Sequence, residues 1–230
     1  MMLDPLSRDL GDLRKDAKVD DVRRILDRHL GSSVPDVASL LSDLERSKRT
    51  SQLANLLACL QQRGLKQTVS LASAAISACR KCCEWGAALD ILKHMAADRV
   101  ELNRVTFNSA VSACAKGGQW AQALALLVDM EAALVQLDVI TYSAAVTACE
   151  KSGEWAPALM LLWESSSRHV DLDTIIYSAA VGACAKGGQW AQAMGLLSEM
   201  RSVGVELDSV TYGAAVSACE KGAEWARALG

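Results

Sequence analysis

The sequence predicts an all-α protein, an α-solenoid of stacked helical hairpins, and the first observation behind this prediction is a repeat of 35 residues. Five tryptophans, five cysteines and five lysines each recur at that step. They are Trp85, Trp120, Trp155, Trp190 and Trp225; Cys79, Cys114, Cys149, Cys184 and Cys219; and Lys81, Lys116, Lys151, Lys186 and Lys221. A fixed period of this length is typical of repeat architectures, in which each repeat is one supersecondary unit.

The second observation is the helical spacing of apolar residues on both sides of Gly117 and Gly118. In the unit 104–138 these residues are Phe107, Ala110, Val111 and Cys114 before the glycines, and Trp120, Ala123, Leu124, Leu127 and Met130 after them. This spacing predicts two amphipathic helices. Paired glycines can take positive φ and reverse the chain, so each unit is expected to be a hairpin. Because one hairpin cannot bury its apolar face alone, it must stack on its neighbours.

The third observation is the composition, which agrees with packed helices and excludes other classes. Apolar residues make up 51% of the chain but aromatic residues only 4%, which favours helices of small residues over an aromatic-rich β-sandwich. The sequence has no apolar run of about 18 residues, so we expect no membrane span. Eight cysteines in 230 residues indicate reduced thiols rather than a disulfide scaffold. The net charge of −3 gives no global basic signature of nucleic-acid binding.

The chain divides into a cap followed by repeat units. Residues 1–33 carry apolar residues at helical spacing outside the repeat, and we interpret them as an N-terminal helical cap. The units that follow are a degenerate repeat at 34–68, repeats at 69–103, 104–138, 139–173 and 174–208, and a truncated repeat at 209–230. Because the last unit stops after 22 residues, we expect a protein partner or a missing C-terminal region to complete the solenoid.

The run VTFNSAVSACAKGGQWAQALALLVDMEAALVQLD at 105–138 resembles the pentatricopeptide repeat (PPR) motif of the P type. The likeness rests on the VT-aromatic-N opening, the small-residue first helix, the Lys-Gly turn, the AL-x-LL second helix and the closing Asp. It covers at least residues 69–230, and it departs from the family at Leu102, Leu137, Leu172 and Leu207, where proline is usual. The resemblance implies a right-handed superhelix that binds single-stranded RNA, with one base read per repeat.

The resemblance also implies which residues read the bases. In the family, the fifth residue of the first helix and the last residue of the unit read the base edge together. The implied pairs are Ser73 with Asn103 for adenine, Asn108 with Asp138 for uracil, and Ser143 with Asp173 and Ser178 with Asp208 for guanine. The implied RNA core is 5′-A-U-G-G-3′, and Gly213 of the last unit is expected to read nothing.

Two further sets of residues take their roles from the same resemblance. The second residue of the unit sandwiches the base, a role that falls to Val105, Ile140, Ile175 and Val210. The unit 69–103 has Ser70 there and is expected to grip its base less well. The lysines Lys81, Lys116, Lys151, Lys186 and Lys221 match the phosphate-contacting position, and stacking is expected to set them in a row.

Each of these signals also has a purely structural interpretation. Asn103 and the aspartates that close later units stand just before a helix, where Asn and Asp are favoured N-caps, and capping does not exclude reading. A lysine at the end of a helix interacts favourably with the helix dipole. We interpret the periodic tryptophans as packing between hairpins, and the periodic cysteines as core residues that cannot converge on a metal.

The sequence has no candidate for catalysis or for a cofactor. His29, His94 and His169 lie in different elements, with no nucleophile or carboxylate at triad-like spacing, and phosphate-binding glycine motifs are absent. Among Cys79, Cys82 and Cys83 there is a Cys-x-x-Cys pattern of the kind that supplies half of a zinc site, but no second half follows at the expected spacing. We therefore expect a protein that is not an enzyme and binds no metal.

The resemblance implies a role in RNA processing, stability or translation in a mitochondrion or chloroplast. Residues 1–33 contain seven aspartates, whereas transit peptides are poor in acids, so a cytoplasmic location is the alternative. The alternative function is a protein-protein interaction scaffold of tetratricopeptide type, whose concave face holds a peptide. Such a groove would not need a lysine in every unit together with a polar pair of changing identity, and this favours RNA.

Overall fold

The computed structural model describes residues 69–222 apart from Asp98 and Glu101. All regular secondary structure in that range is α-helical, as the sequence predicts. The helices are α1 (Val69–Cys82), α2 (Trp85–Ala97), α3 (Arg104–Lys116), α4 (Trp120–Ala132), α5 (Val139–Ser152), α6 (Trp155–Ser167), α7 (Thr174–Lys186), α8 (Trp190–Val203) and α9 (Ser209–Lys221). The predicted cap at 1–33, the degenerate repeat at 34–68 and the segment 223–230 lie outside the described residues.

The chain divides into two compact units, residues 1–113 and 114–230. The described part of the first unit holds α1, α2 and most of α3, and the second unit holds the remaining helices. Helices α2, α4, α6 and α8 each begin at a periodic tryptophan, and contacts join α1 with α2, α5 with α6 and α7 with α8. Within the described range, every helix is too short or too polar to cross a membrane.

Glycines with positive φ lie in the hairpin turns, among them Gly118 of the pair that the sequence singles out. Gly118, Gly153 and Gly188 have φ of 65°, 76° and 69°, a region in which glycine has no steric penalty. The Gln119 N–H donates to the Cys114 carbonyl at 2.9 Å, which closes the turn after α3. The predicted chain reversal at the glycines is therefore confirmed.

Residues other than glycine also take positive φ, which the sequence does not predict. Cys83 replaces glycine in the turn after α1, with φ of 64°. Arg99, Leu134 and His169 have φ of 54°, 57° and 57° after α2, α4 and α6, at the place that Gly204 occupies after α8. A left-handed conformation costs an L-residue about 1–2 kcal/mol. The short loops between successive hairpins therefore contain strained residues.

Within the second unit the helices form two layers. The first helices α5, α7 and α9 contact one another in succession, while α6 packs on α5 and α7, and α8 packs on α7 and α9. Gly182 lets α7 approach α5 closely, since a β-carbon at this glycine would lie 2.9 Å from Glu150 Cγ. Stacking of this kind buries an apolar face that one hairpin leaves uncovered. The predicted all-α solenoid is confirmed.

The repeated core positions carry the predicted residues. The periodic cysteines Cys79, Cys114, Cys149, Cys184 and Cys219 are all completely buried. Burial raises the pKa of the Cys114, Cys149 and Cys184 thiols to about 11, which keeps them protonated and unreactive. The predicted core role of these cysteines is confirmed.

Candidate nucleic-acid interface

The fifth residue of each first helix is half-buried and polar. Ser73, Asn108, Ser143 and Ser178 occupy this place in α1, α3, α5 and α7, where the sequence puts one member of each predicted pair. These residues lie in regular helices, so the helix backbone fixes the position of the Cβ atom that carries each hydroxyl or amide. A functional group on a helix is held more rigidly than one on a loop.

The other member of each predicted pair caps the next first helix. Asn103 Oδ1 accepts the Thr106 N–H at 2.9 Å. Asp138, Asp173 and Asp208 do the same for residues 141, 176 and 211, at 2.9, 3.0 and 2.8 Å. The capping interpretation of these residues is therefore confirmed. Each cap uses Oδ1, so the second polar atom of the side chain is not needed for capping.

One threonine joins the two members of the pair in the repeat 69–103. Thr106 is completely buried, and its hydroxyl donates to Asn103 Oδ1 at 2.8 Å. The same hydroxyl oxygen lies 3.0 Å from Ser73 Oγ, within hydrogen-bond distance. Ser73 of α1 and Asn103, the cap of α3, thus lie at the two ends of one short chain of hydrogen bonds.

The same arrangement recurs in the repeat 174–208. Thr211 is completely buried, its hydroxyl donates to Asp208 Oδ1 at 2.6 Å, and its oxygen is hydrogen-bonded to Ser178 Oγ. The Thr211 hydroxyl and then its backbone N–H hold the pKa of the Asp208 carboxyl below its usual value. Asp208 is therefore an anion at neutral pH.

The repeat 139–173 lacks this connection. Its pair is Ser143 and Asp173, and the residue in the place of the threonine is Ile176, which has no hydroxyl. The Asp173 cap is kept, but Ser143 Oγ is buried and has no hydrogen-bond partner in the described part of the chain. These threonines are not among the predicted site residues, although Thr106, Thr141 and Thr211 keep the 35-residue step and Ile176 interrupts it.

Branched apolar side chains stand exposed beside the capping residues. Val105, Ile140, Ile175 and Val210 follow the cap by two residues and are 64%, 59%, 64% and 67% exposed. An apolar side chain that is exposed at the same place in four successive units gains little from the core. These are the residues for which the family resemblance implies base sandwiching.

The predicted phosphate-contacting lysines are exposed in the last turn of the first helices. Lys81 lies in α1, and Lys116, Lys151, Lys186 and Lys221 lie in α3, α5, α7 and α9. All five ammonium groups extend from helix C-termini, where a positive charge is favourable.

Lys151 and Lys186 also contact protein groups. Lys151 Nζ donates to the Lys116 carbonyl at 3.0 Å, so it satisfies an oxygen at the end of the preceding first helix. Lys186 Nζ lies 3.1 Å from Glu150 Oε1 in an exposed ion pair. Exposed ion pairs contribute about 0–1 kcal/mol, so an anionic ligand can compete for Lys186 at little cost.

Comparisons with known proteins agree with this repeat architecture. A family model described as the PPR repeat matches residues 105–133 and 175–205. No curated protein sequence matches the chain significantly.

Several solved structures share the fold. The crystal structure of the pentatricopeptide repeat protein PPR10 from maize is 24% identical, with a TM-score of 0.67, over 97% of this chain and 32% of that one. PPR10 in complex with an 18-nt psaJ RNA element is 20% identical, with a TM-score of 0.69, over 98% of this chain and 34% of that one. The PPR domain of Arabidopsis thaliana protein-only RNase P 1 in complex with tRNA is 15% identical, with a TM-score of 0.61, over 81% of this chain and 95% of that one.

These likenesses, all below 25% identity, concern the fold. The chain spans about a third of the length of the PPR10 structures that it matches. The two segments that match the family model begin at residues 105 and 175, two positions after the caps Asn103 and Asp173. Two segments of the chain thus match the PPR repeat, and the chain shares the fold of pentatricopeptide repeat proteins.

Proposed function

We propose that the chain binds single-stranded RNA sequence-selectively through its repeats and supports RNA processing, stability or translation without catalysing a reaction itself. The observation that carries this proposal is the recurring site at the start of the first helices. There a polar residue of one hairpin meets the cap of the next hairpin through one buried threonine, beside an exposed branched side chain. The structures of PPR10 with an RNA element and of an RNase P PPR domain with tRNA support the choice of ligand.

The hydrogen-bonding polarity of the caps supports the predicted bases. A backbone N–H can donate only to an acceptor, so the Thr106 N–H requires Asn103 Oδ1 and leaves the Asn103 amide NH₂ as the other end of the side chain. Asp208 uses Oδ1 in the same way, and its other oxygen is an acceptor. A donor suits the ring nitrogen acceptor of adenine, and an acceptor suits the ring N–H and amino group of guanine.

The remaining features suit the other parts of a nucleotide. Exposed Val105, Ile140, Ile175 and Val210 can contact the faces of bases, which are apolar and alike in all four nucleotides. The exposed lysines at the helix ends suit phosphates, and their placement matters more than the total charge of the chain. The site in a repeat can therefore contact the edge of one base, the face of that base and one phosphate.

The proposal includes a passive mechanism and an organellar address. Each cap commits Oδ1 to a helix and leaves its second polar atom for a base, so protecting or remodelling an RNA segment, or delivering a partner to it, fits the site better than acid-base chemistry. The family resemblance favours a mitochondrion or chloroplast over the cytoplasm. Imaging a carboxyl-terminal fluorescent fusion tests the address, and a diffuse cytoplasmic signal would contradict it.

Fluorescence anisotropy with the full chain tests RNA binding. An RNA containing AUGG is compared with a scrambled RNA of the same composition at low salt, and we expect the AUGG RNA to bind at least tenfold more tightly. Equal binding of both would overturn the sequence selectivity. No binding of either would overturn the RNA function and favour the protein scaffold.

A substitution at Asn108 tests the reading of the second base. Asn108→Ser should move the preference at this base from U towards G, because a hydroxyl replaces an amide at the fifth residue of α3. The other three base preferences are internal controls in the same measurements. An unchanged preference at the second base would leave Asn108 without a reading role.

A further inference from the structure

Thr106 and Thr211 are buried polar residues whose hydroxyls have two partners each. In both cases the partners are the cap of the same helix and the serine at the fifth position of the preceding first helix. A helix cap needs only the backbone N–H of the threonine, as the Asp173 cap on Ile176 demonstrates. The threonine hydroxyls are therefore not required for capping and have another role.

Counting protons fixes the direction of these hydrogen bonds. The Thr211 hydroxyl has one proton, and the Asp208 carboxylate can only accept, so that proton lies between Thr211 and Asp208. The contact between Ser178 and Thr211 must then use the serine proton. The same count holds for Ser73, because Asn103 Oδ1 already accepts the Thr106 N–H and can only accept from the Thr106 hydroxyl.

A serine whose proton is committed in this way offers only lone pairs to a ligand. Ser73 and Ser178 can accept a hydrogen bond from a base amino group or ring N–H, but they cannot donate one to a base carbonyl or ring nitrogen. A hydroxyl that is not held can rotate and do either, so it discriminates less between the bases. Orientation by a buried neighbour is the usual way in which a binding group is made selective.

We infer that the buried threonine is a positioning residue that fixes the fifth-position serine as a hydrogen-bond acceptor, and that Ile176 leaves the repeat 139–173 as the weaker reader. The inference rests on the proposed RNA function. Ser143 Oγ has no partner in the described part of the chain and is covered by neighbouring atoms, so it must rotate about χ1 before it meets a base. We call the threonine hydroxyl with its hydrogen bonds to the cap and the serine the threonine bridge. Ser143 and Ser178 are both implied to read guanine, but only the repeat of Ser178 has this bridge.

The test compares two guanine positions in one RNA. Anisotropy with the full chain gives the affinity for AUGG, for AUAG with the third base changed, and for AUGA with the fourth base changed. We expect the wild-type chain to lose about five- to tenfold more affinity from the change at the fourth base than from the change at the third. Equal losses at the two positions would overturn the inference while leaving RNA binding intact.

Two substitutions remove the threonine hydroxyl from one of these repeats and add it to the other. Thr211→Val removes the hydroxyl but keeps the backbone cap, and an aliphatic residue is already accommodated at Ile176. We expect it to lower discrimination at the fourth base about fivefold and to leave the third base unchanged. Ile176→Thr supplies the missing hydroxyl, and we expect it to raise discrimination at the third base by a similar factor.

Matched variants separate positioning from packing. Ile176→Val shortens the same buried side chain without adding a hydroxyl, and Thr147→Val removes a hydroxyl that donates to the Ser143 carbonyl within α5. Neither should change base discrimination, and thermal unfolding reports whether each variant is folded. If Ile176→Val sharpens the third base as much as Ile176→Thr, the threonine is not a positioning residue. If the wild-type chain binds none of the three RNAs, the proposed function itself has failed.

Discussion

Trp155 lies so close to Gly187 that a β-carbon on residue 187 would come within 2.4 Å of Trp155 Cδ1. Trp190 has the same relationship with Gly222, also at 2.4 Å. The indole at the start of a second helix thus fills the space beside the turn of the next hairpin, which confirms the predicted packing role for these two tryptophans. Gly187 has an ordinary φ of −79°, so glycine is needed there for space and not for backbone freedom.

Gly187→Ala should therefore destabilise the chain by about 1–3 kcal/mol, because the new methyl group overlaps the indole of Trp155. Urea unfolding followed by circular dichroism gives the change. Gly195→Ala is the matched control, since Gly195 lies inside α8 with nothing within 4 Å of its added β-carbon. That substitution should stabilise the helix by about 0.5–1 kcal/mol. Equal stabilities of Gly187→Ala and the wild-type chain would contradict the close packing.

Leu134→Gly should stabilise the chain by about 0.5–1 kcal/mol. Leu134 is 92% exposed and has φ of 57°, so glycine relieves backbone strain without removing a core contact. Gly204 has φ of 78° at the equivalent place after α8. Gly204→Leu should therefore destabilise the chain. Thermal or urea unfolding measures both, and a loss of stability in Leu134→Gly would show that the side chain contributes more than its exposure indicates.

Tyr177 connects the two helices of its hairpin through a hydrogen bond to Glu199. The hydroxyl donates to Glu199 Oε1 at 3.1 Å, and Tyr142 makes the equivalent bond to Glu164 one repeat earlier. Burial and then this hydrogen bond raise the pKa of Tyr177 to about 12. Since the unfolded chain loses the tyrosine proton first, near pH 10, the stabilisation is complete below that pH and is lost towards pH 12.

Tyr177→Phe should cost about 1 kcal/mol at pH 8, where the hydrogen bond is intact. The difference in stability between this variant and the wild-type chain should shrink as the pH rises from 10 to 12. Tyr212→Phe is the control, because Tyr212 is 45% exposed and its substitution should change stability by less than about 0.5 kcal/mol. A pH-independent difference between Tyr177→Phe and the wild-type chain would show that the raised pKa is not coupled to folding.

The architecture was predictable from the sequence because its signals are local and repeated. Helical spacing around Phe107 and Trp120 and the glycine pair at 117–118 each determine structure within a few residues, and the 35-residue step repeats them. The strained turns were not predictable, since residues such as Leu134 and His169 have no intrinsic preference for positive φ. In both turns the next residue closes the helix end, since the Val135 N–H donates to the Met130 carbonyl and the Val170 N–H to the Ser165 carbonyl, a motif that places a left-handed residue before the donor.

The contents of the candidate site were only partly predictable. The caps follow from the residue type before each helix, and they lie where the sequence puts them. The threonine bridge depends on three side chains from two hairpins, and Thr106 by itself reads as an ordinary helix residue. The contact of Lys151 with the Lys116 carbonyl likewise depends on how two first helices stack.

The lysines at the ends of the first helices should control the salt dependence of RNA binding. About five phosphate contacts predict a slope of log affinity against log salt near −3.5, with about 0.7 lost for each lysine removed. Lys186→Gln should therefore reduce the slope by about 0.7, whereas Lys93→Gln should leave it unchanged, because Lys93 lies on α2, a second helix. Glu150→Gln should strengthen binding, since it removes the ion pair that competes with phosphate for Lys186. An equal loss of slope in Lys186→Gln and Lys93→Gln would show that RNA senses only the total charge of the chain.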